Sequence, residues 1–237
     1  MTRILNLESS TEVCSVSIAE NGQMIDYIES HEGQNHAQKL SVFTDELLRR
    51  NQLTYRQLNA IAVSKGPGSY TGLRIGVSLA KGLCYANQIP LIAVSPLQSM
   101  SHHVSSNLKK YKLNKADNLL FCPMIDARRM EVYTALYNQE HQPIESVSAA
   151  IIDRESFHNL LEKHPIAFFG NGSAKCQSAI DHPNAIFIDN IKTSAQFMCS
   201  LSQEAYENND FVDVAYFEPF YLKDFIAGKP KKNILKQ

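Results

Sequence analysis

The sequence predicts a mixed α/β fold built twice over. Three observations carry that prediction. Strand-like apolar runs alternate with helix-period segments along the 237 residues. Two such series occur, and each opens on a hairpin followed by a third strand. A polar link at residues 109–117 separates them.

The first series runs βββαβαβα. Residues 2–8 read as a buried strand, and Glu8-Ser9-Ser10-Thr11-Glu12 as a polar turn. Residues 13–19 alternate with the period of a strand, Asn21-Gly22 is a two-residue hairpin signal, and residues 23–30 return as a third strand. A polar loop leads to a helix over 36–51 with Leu40, Phe43, Leu47 and Leu48 on its apolar stripe. Residues 58–64 form the next strand. A glycine-rich turn follows, then a helix with Ile75, Leu79, Leu83 and Ala86 on one side, capped by Ser69 or Thr71. Residues 90–94 make a short strand, and Ser95-Pro96 opens another helix.

The second series has strands at 118–126, 129–137 and 145–152, a helix at 157–163, a strand at 166–169, a short helix at 173–180, a strand at 185–188 and a closing helix at 194–206. The expected boundaries are therefore 1–108 and 109–217 for the two halves, with a cleft between them, and 218–237 for a C-terminal segment and basic tail.

Composition narrows the function. A net charge of −1 provides no global field for nucleic acid or an anionic membrane. Five cysteines without any C-x-x-C pair, no leader and no apolar run of transmembrane length predict reduced thiols in a soluble cytoplasmic protein. In the tail, Lys223, Lys229, Lys231, Lys232 and Lys236 face only Asp224. That run reads as a solvated terminus, the rival reading being an electrostatic contact with RNA or an acidic partner.

The stretch Gly66-Pro67-Gly68-Ser69-Tyr70-Thr71-Gly72-Leu73-Arg74-Ile75-Gly76 joins strand to helix. Its amides could hold an anion, or its glycines could serve a tight turn and close backbone approach. The spacing fails both phosphate motifs: no G-x-x-x-x-G-K-[ST] occurs, and Thr71 stands where a dinucleotide fingerprint needs glycine. Gly72, Gly76 and Ala80 make a small-residue stripe that admits a closely packed helix of the same chain or of another. No G-x-S-x-G or H-E-x-x-H is present. His102-His103 reads as part of an exposed helix face with no complementary ligand spacing, and Arg128 as a partner for Asp126.

These residues resemble the bacterial TsaB family, also called YeaZ. The matching positions are Ile4 to Val16, His36 with Leu40, the glycine stretch at 66–76, Asp126-Ala127-Arg128, Glu131-Val132-Tyr133, Gly170-Asn171-Gly172, and Pro219 with Tyr221-Leu222. The glycine stretch is the most specific of them. The resemblance implies a duplicated actin/Hsp70/sugar-kinase-like (ribonuclease H-like) fold. It also implies partnership with a catalytic relative, TsaD, and with the ATPase TsaE. Together they place a threonylcarbamoyl group on the adenosine beside the anticodon of some tRNAs, the donor being an adenylate made by a separate synthase. Family members are regarded as noncatalytic, pair with TsaD through two helices of the first half, and self-pair through the same face. The face so implied comprises His36, Leu40, Thr44, Leu47, Gly72, Arg74, Ile75, Gly76, Leu79, Ala80 and Leu83.

The relative's metal site uses H-x-x-x-H, whereas His36 here is followed four positions later by Leu40, so neither metal nor cofactor is expected. Superfamily kinases cradle phosphate with a glycine-containing hairpin, and Glu8-Ser9-Ser10-Thr11 has no glycine. Glu8 and Asp126 end the first strand of each half and, with Ser9 and Gly68, outline a vestigial nucleotide site. The leading expectation is a noncatalytic partner subunit that meets tRNA through its complex and forms a homodimer alone. The alternatives are an ATPase or phosphotransferase using Glu8 and Asp126, and a metallopeptidase.

Overall fold

The computed structural model of the protein describes residues 1–33, 35–113 and 118–223. Two five-stranded sheets form its frame. The first holds β1 (Arg3–Glu8), β2 (Cys14–Glu20), β3 (Gln23–Ser30), β4 (Ala60–Ser64) and β5 (Leu91–Val94), in spatial order β3-β2-β1-β4-β5. The second holds β6 (Leu120–Asp126), β7 (Glu131–Tyr137), β8 (Pro143–Ile151), β9 (Ile166–Phe169) and β10 (Ala185–Ile188), in order β8-β7-β6-β9-β10. In each, the first three strands pair antiparallel, and the first strand pairs parallel with the fourth. The fourth and fifth are also parallel. The two sheets thus share one topology, the duplicated α/β plan of an actin-like fold.

Local chemistry explains the element ends. Asn21 and Gly22 both have positive φ, 48° and 77°, as a two-residue hairpin of this hand requires. The helices are α1 (His36–Arg50), α2 (Tyr70–Asn87), α3 (Pro96–Ser105), α4 (His158–Leu161) and α5 (Cys199–Glu207). Ser69 Oγ accepts from the Gly72 amide at 3.3 Å and caps α2. Ser95 Oγ accepts from the Gln98 amide at 3.4 Å and caps α3, with Pro96 in the first turn.

The helices lace the halves together. On one face of the first sheet, Leu40 and Leu47 of α1 and Val77 and Ala80 of α2 pack on Leu5, Leu7, Ile61 and Val63. The opposite face is covered by the far end of the chain: Ala195 and Met198 of a 3-10 turn, with Leu201 of α5, pack on Ile4, Ala60, Ala62, Ile92 and Val94. Conversely, Leu97, Met100 and Val104 of α3 join Phe121, Ile125 and Phe169 of the second sheet. Each half therefore sends its last helix to the other's sheet. Burying a large apolar side chain contributes about 1.5–3 kcal/mol, so these crossings couple the halves energetically.

Three local expectations are corrected. Residues 173–180 form only a 3-10 turn, Ala174–Cys176, and α4 is a single turn. Segments this short cannot offset helix nucleation, and their apolar residues Leu161, Cys176 and Ile180 are used to cover the second sheet. His102 and His103 do not lie on an exposed face. The His103 ring stacks on Phe197 at 3.8 Å and its Nε2 meets the Tyr111 hydroxyl at 2.7 Å, while His102 lies 4.3 Å from the His141 ring. Finally, Lys223 is not a free tail cation, because it pairs with Glu131. Asp224, Lys229, Lys231, Lys232 and Lys236 lie outside the described residues.

All five cysteines are buried free thiols. Burial pushes the Cys122 thiol up to about 12, far from the range of a reactive thiolate. Among the described residues, no helix is long and apolar enough to cross a membrane.

Candidate functional site

The glycine turn sets the site. It leaves β4 through Gly66, with φ of +97°, and passes a cis Gly66–Pro67 bond into α2. The Ser69 amide donates to the Ser10 carbonyl at 2.6 Å, and Ser9 Oγ donates to the Gly72 carbonyl at 2.8 Å. A Cβ on Gly68 would overlap the Ser10 carbonyl oxygen, one on Gly72 the Ser9 carbonyl oxygen, and one on Gly76 the Ser9 hydroxyl. The stripe Gly72, Gly76 and Ala80 is buried inside the chain. Gly72 and Gly76 serve the polar β1–β2 turn, not a helix of another molecule, which corrects the reading of those glycines as a docking stripe. The cause is distance in sequence: the occupant, Ser9-Ser10, is polar and lies some sixty residues away.

Glu8 lies behind this turn. It is fully buried, its Oε1 accepts from the Ser10 amide at 2.6 Å, and its Oε2 has no hydrogen-bond partner. Desolvation raises its pKa, against lowering contacts from Ser10, Ser64 and the Ser9 amide. Its equivalent in the second half, Asp126, has the opposite surroundings. Asp126 is partly exposed, pairs with Lys175, and accepts from the Arg128 amide at 3.0 Å. Lys175, not Arg128, is therefore its cation.

Between the halves lies a cleft of about 800 Å³. The first half contributes Ser10, Thr11, Glu12, His36 and the start of α2, and the second contributes Asp126, Arg128, Tyr133 and Asn171. Glu8 does not line it. The cleft's polar groups are largely engaged with one another. Asn171 accepts from the Asp126 amide at 3.0 Å and donates to Glu12 at 2.7 Å, tying the halves together. Glu12 also lies 3.5 Å from Lys192. His36 Nε2 is 3.0 Å from the Thr11 carbonyl oxygen, and Thr11 Oγ1 is 2.7 Å from Thr193 Oγ1. The C-terminal segment crosses the rim of the cleft through Phe220, Tyr221, Leu222 and Lys223. Among the described residues, no group of three or more His, Cys, Asp or Glu is placed to hold a metal.

A second concavity of about 330 Å³ lies between α1 and α2, lined by Ala37, Leu40, Ser41, Arg74, Ile75, Ser78 and Leu79. Of the residues implied for pairing, Leu40, Thr44 and Leu47 are buried beneath α1, as Gly72, Gly76 and Ala80 are beneath α2. Arg74 is exposed, Ile75, Leu79 and Leu83 are half-buried at the surface, and His36 faces the cleft. The sequence reading missed the outer side of α2. There Ser78, Gly82 and Ala86 form an exposed small-residue stripe beside Tyr85, which is 83% exposed, and a Cβ on Gly82 would meet nothing within 4 Å. The signal was present, shifted two residues from the stripe that was read. Tyr221 and Asn171 lay in quoted motifs without an assigned role.

The family model for TsaD, tRNA N6-adenosine threonylcarbamoyltransferase, matches residues 26–229. The chain is 28% identical over 235 residues to the tRNA threonylcarbamoyladenosine biosynthesis protein TsaB of Haemophilus influenzae, covering 95% of each. It is 30% identical over 181 residues to the TsaB of Bacillus subtilis, covering 75% of each. Among solved structures, YeaZ from Pseudomonas aeruginosa superposes with a TM-score of 0.78 at 26% identity, over 94% of this chain and 100% of that one.

Proposed function

The chain belongs to the TsaB (YeaZ) family of tRNA threonylcarbamoyladenosine biosynthesis proteins, and from that premise we propose that it acts as a noncatalytic subunit that scaffolds and activates TsaD. In this reading the α1–α2 groove and the outer side of α2 receive TsaD. The same face pairs two copies of the chain when TsaD is absent, TsaE joins the assembly, and tRNA is met through the complex in the cytoplasm.

One observation carries the noncatalytic part. Glu8 and Asp126, which an active nucleotide site would use together, do not face the same space. Glu8 is sealed behind the glycine turn, and Asp126 already carries Lys175. A buried carboxyl with a raised pKa is poorly suited to orienting a divalent cation, which needs ionised oxygen ligands. The pairing part is supported by the exposed apolar groove, in which Arg74 is the single charged residue among the described lining residues.

Mass analysis of tRNA nucleosides from cells depleted of this protein tests the reading. Threonylcarbamoyladenosine is expected to fall, and the wild-type chain and its Asp126→Asn variant to restore it equally. Turnover of ATP by the isolated wild-type chain, lost in Asp126→Asn, would instead establish the ATPase alternative.

A further inference from the structure

The cleft and the groove are joined by one small cluster. Tyr221 of the C-terminal segment packs on Tyr70 at the start of α2, with ring centroids 4.8 Å apart. Arg74, one turn along α2, places its guanidinium carbon 4.2 Å from the centre of the Tyr70 ring and donates Nε–H to the Tyr221 hydroxyl at 3.3 Å. Tyr70 and Tyr221 line the cleft, whereas Arg74 lines the groove. On either side of Tyr221 the segment is fastened to both halves. The Phe220 amide donates to the Lys65 carbonyl at 2.7 Å in the first half, and Lys223 pairs with Glu131 in the second.

We propose that Phe220 to Lys223 form a latch across the cleft, and that Arg74 links its release to occupancy of the α1–α2 groove. The linkage follows from competition for one guanidinium. Arg74 is exposed and is the one cation among the described residues that line the groove, so a docked chain that offers a carboxylate draws it outward. A guanidinium–carboxylate bond, with both partners ionised and two parallel N–H···O contacts available, is stronger than a single 3.3 Å bond to a neutral phenol. Drawing Arg74 outward removes both the hydrogen bond to Tyr221 and the cation on Tyr70. The latch then depends on the Tyr70–Tyr221 ring contact, Phe220 and Lys223, and the surface Lys223–Glu131 pair contributes little in water. Linkage is reciprocal, so weakening the latch must tighten docking by the same factor by which docking weakens the latch. The occupant is TsaD, and in that respect the inference rests on the pairing reading above.

The test follows hydrogen exchange at the Phe220 amide by NMR in the full chain, because that amide reports the latch directly. Exchange is expected to rise at least tenfold in Tyr221→Ala and in Arg74→Ala, and less in Tyr221→Phe, which keeps the ring and loses only the hydroxyl. Saturating purified TsaD is expected to produce the same rise in the wild type, and Tyr221→Ala to bind TsaD several-fold more tightly. Unchanged exchange in Arg74→Ala, or a Phe220 amide that stays protected in the TsaD complex, overturns the latch while leaving the pairing reading intact. A wild-type chain that does not bind TsaD sinks the pairing reading, and the linkage to the groove falls with it.

Discussion

The Ser9 hydroxyl donates to the Gly72 carbonyl at 2.8 Å and fills the space that a side chain on Gly76, one turn further on, would require. Ala normally exceeds Gly in a helix by about 1 kcal/mol, so Gly76→Ala would stabilise an open site. Here it is expected to destabilise by about 1–3 kcal/mol through overpacking. Ser9→Ala, which deletes the obstructing oxygen, costs about 1 kcal/mol alone through the lost hydrogen bond. The double variant should be more stable than the sum of its parts by about 1 kcal/mol. Gly72→Ala meets the Ser9 backbone oxygen instead, so Ser9→Ala should not rescue it. Urea unfolding of the variants measures all these terms, and simple additivity of Ser9→Ala with Gly76→Ala would defeat the explanation.

That pair also marks where sequence stops informing structure. Positive φ at Asn21 and Gly22, and the caps at Ser69 and Ser95, were legible because each depends on neighbours within a few positions. The succession of strands along each half was legible from the apolar runs and the two βββ openings, whereas their spatial order was not. What the glycines face was not legible, because a small residue advertises space and does not name its occupant. The exchange of last helices was hidden for the same reason: Met198 and Leu201 look like any apolar stripe, and only the folded chain shows them on Ile4 and Ile92. His103 was misplaced because the rings that cover it, Tyr111 and Phe197, come from separate elements. At the candidate site, sequence named Asp126 and Arg74 but could not separate buried Glu8 from the cleft.

Glu8 supplies a pH test. Its folded-state pKa is raised by desolvation, so its contribution to stability is present at low pH and is lost as pH rises through the folded pKa. Glu8→Gln keeps the acceptor for the Ser10 amide and puts an uncharged amide where Oε2 lacks a partner. The variant should gain on the wild type as pH rises, because only the wild type holds a buried carboxyl that must stay protonated or ionise at a cost. Unfolding free energies of both proteins at pH 5 and pH 8 give the difference directly. A difference that does not change with pH would mean that the burial of this carboxyl carries no titration penalty.

His103 tests the opposite sign. Burial, with Lys110 and His102 adding positive charge nearby, lowers its pKa from 6.5 to about 4. The folded protein therefore holds it neutral, and stability is lost as pH falls from the unfolded value near 6.5 towards 4. Because the ring keeps some contact with water, the loss is limited to about 1–2 kcal/mol. His103→Phe keeps a ring against Phe197 and removes the titration, at the cost of the Tyr111 contact. Its melting temperature should vary less between pH 7 and pH 5 than that of the wild type. Equal pH dependence in the two proteins would assign the acid sensitivity elsewhere, with His102 beside His141 the next site to vary.

Gly82 separates folding from pairing, which Gly76 cannot do because any side chain there disturbs Ser9 first. A Cβ on Gly82 points into open space on the outer side of α2, between Ser78 and Ala86. Gly82→Ala should therefore stabilise the isolated chain by up to about 1 kcal/mol, the ordinary gain from replacing an exposed helical glycine. Gly82→Arg should also leave the fold intact, since nothing in the chain opposes it. If a TsaD helix approaches closely along this stripe, the bulk of Arg holds the two axes apart, and pairing should weaken at least tenfold, which is about 1.4 kcal/mol. Urea midpoints measure the first effect, and titration calorimetry against TsaD the second. A Gly82→Arg chain that is as stable as the wild type and binds TsaD equally well would move the contact away from the outer side of α2. An unstable one would mean that the glycine is enclosed within the chain after all.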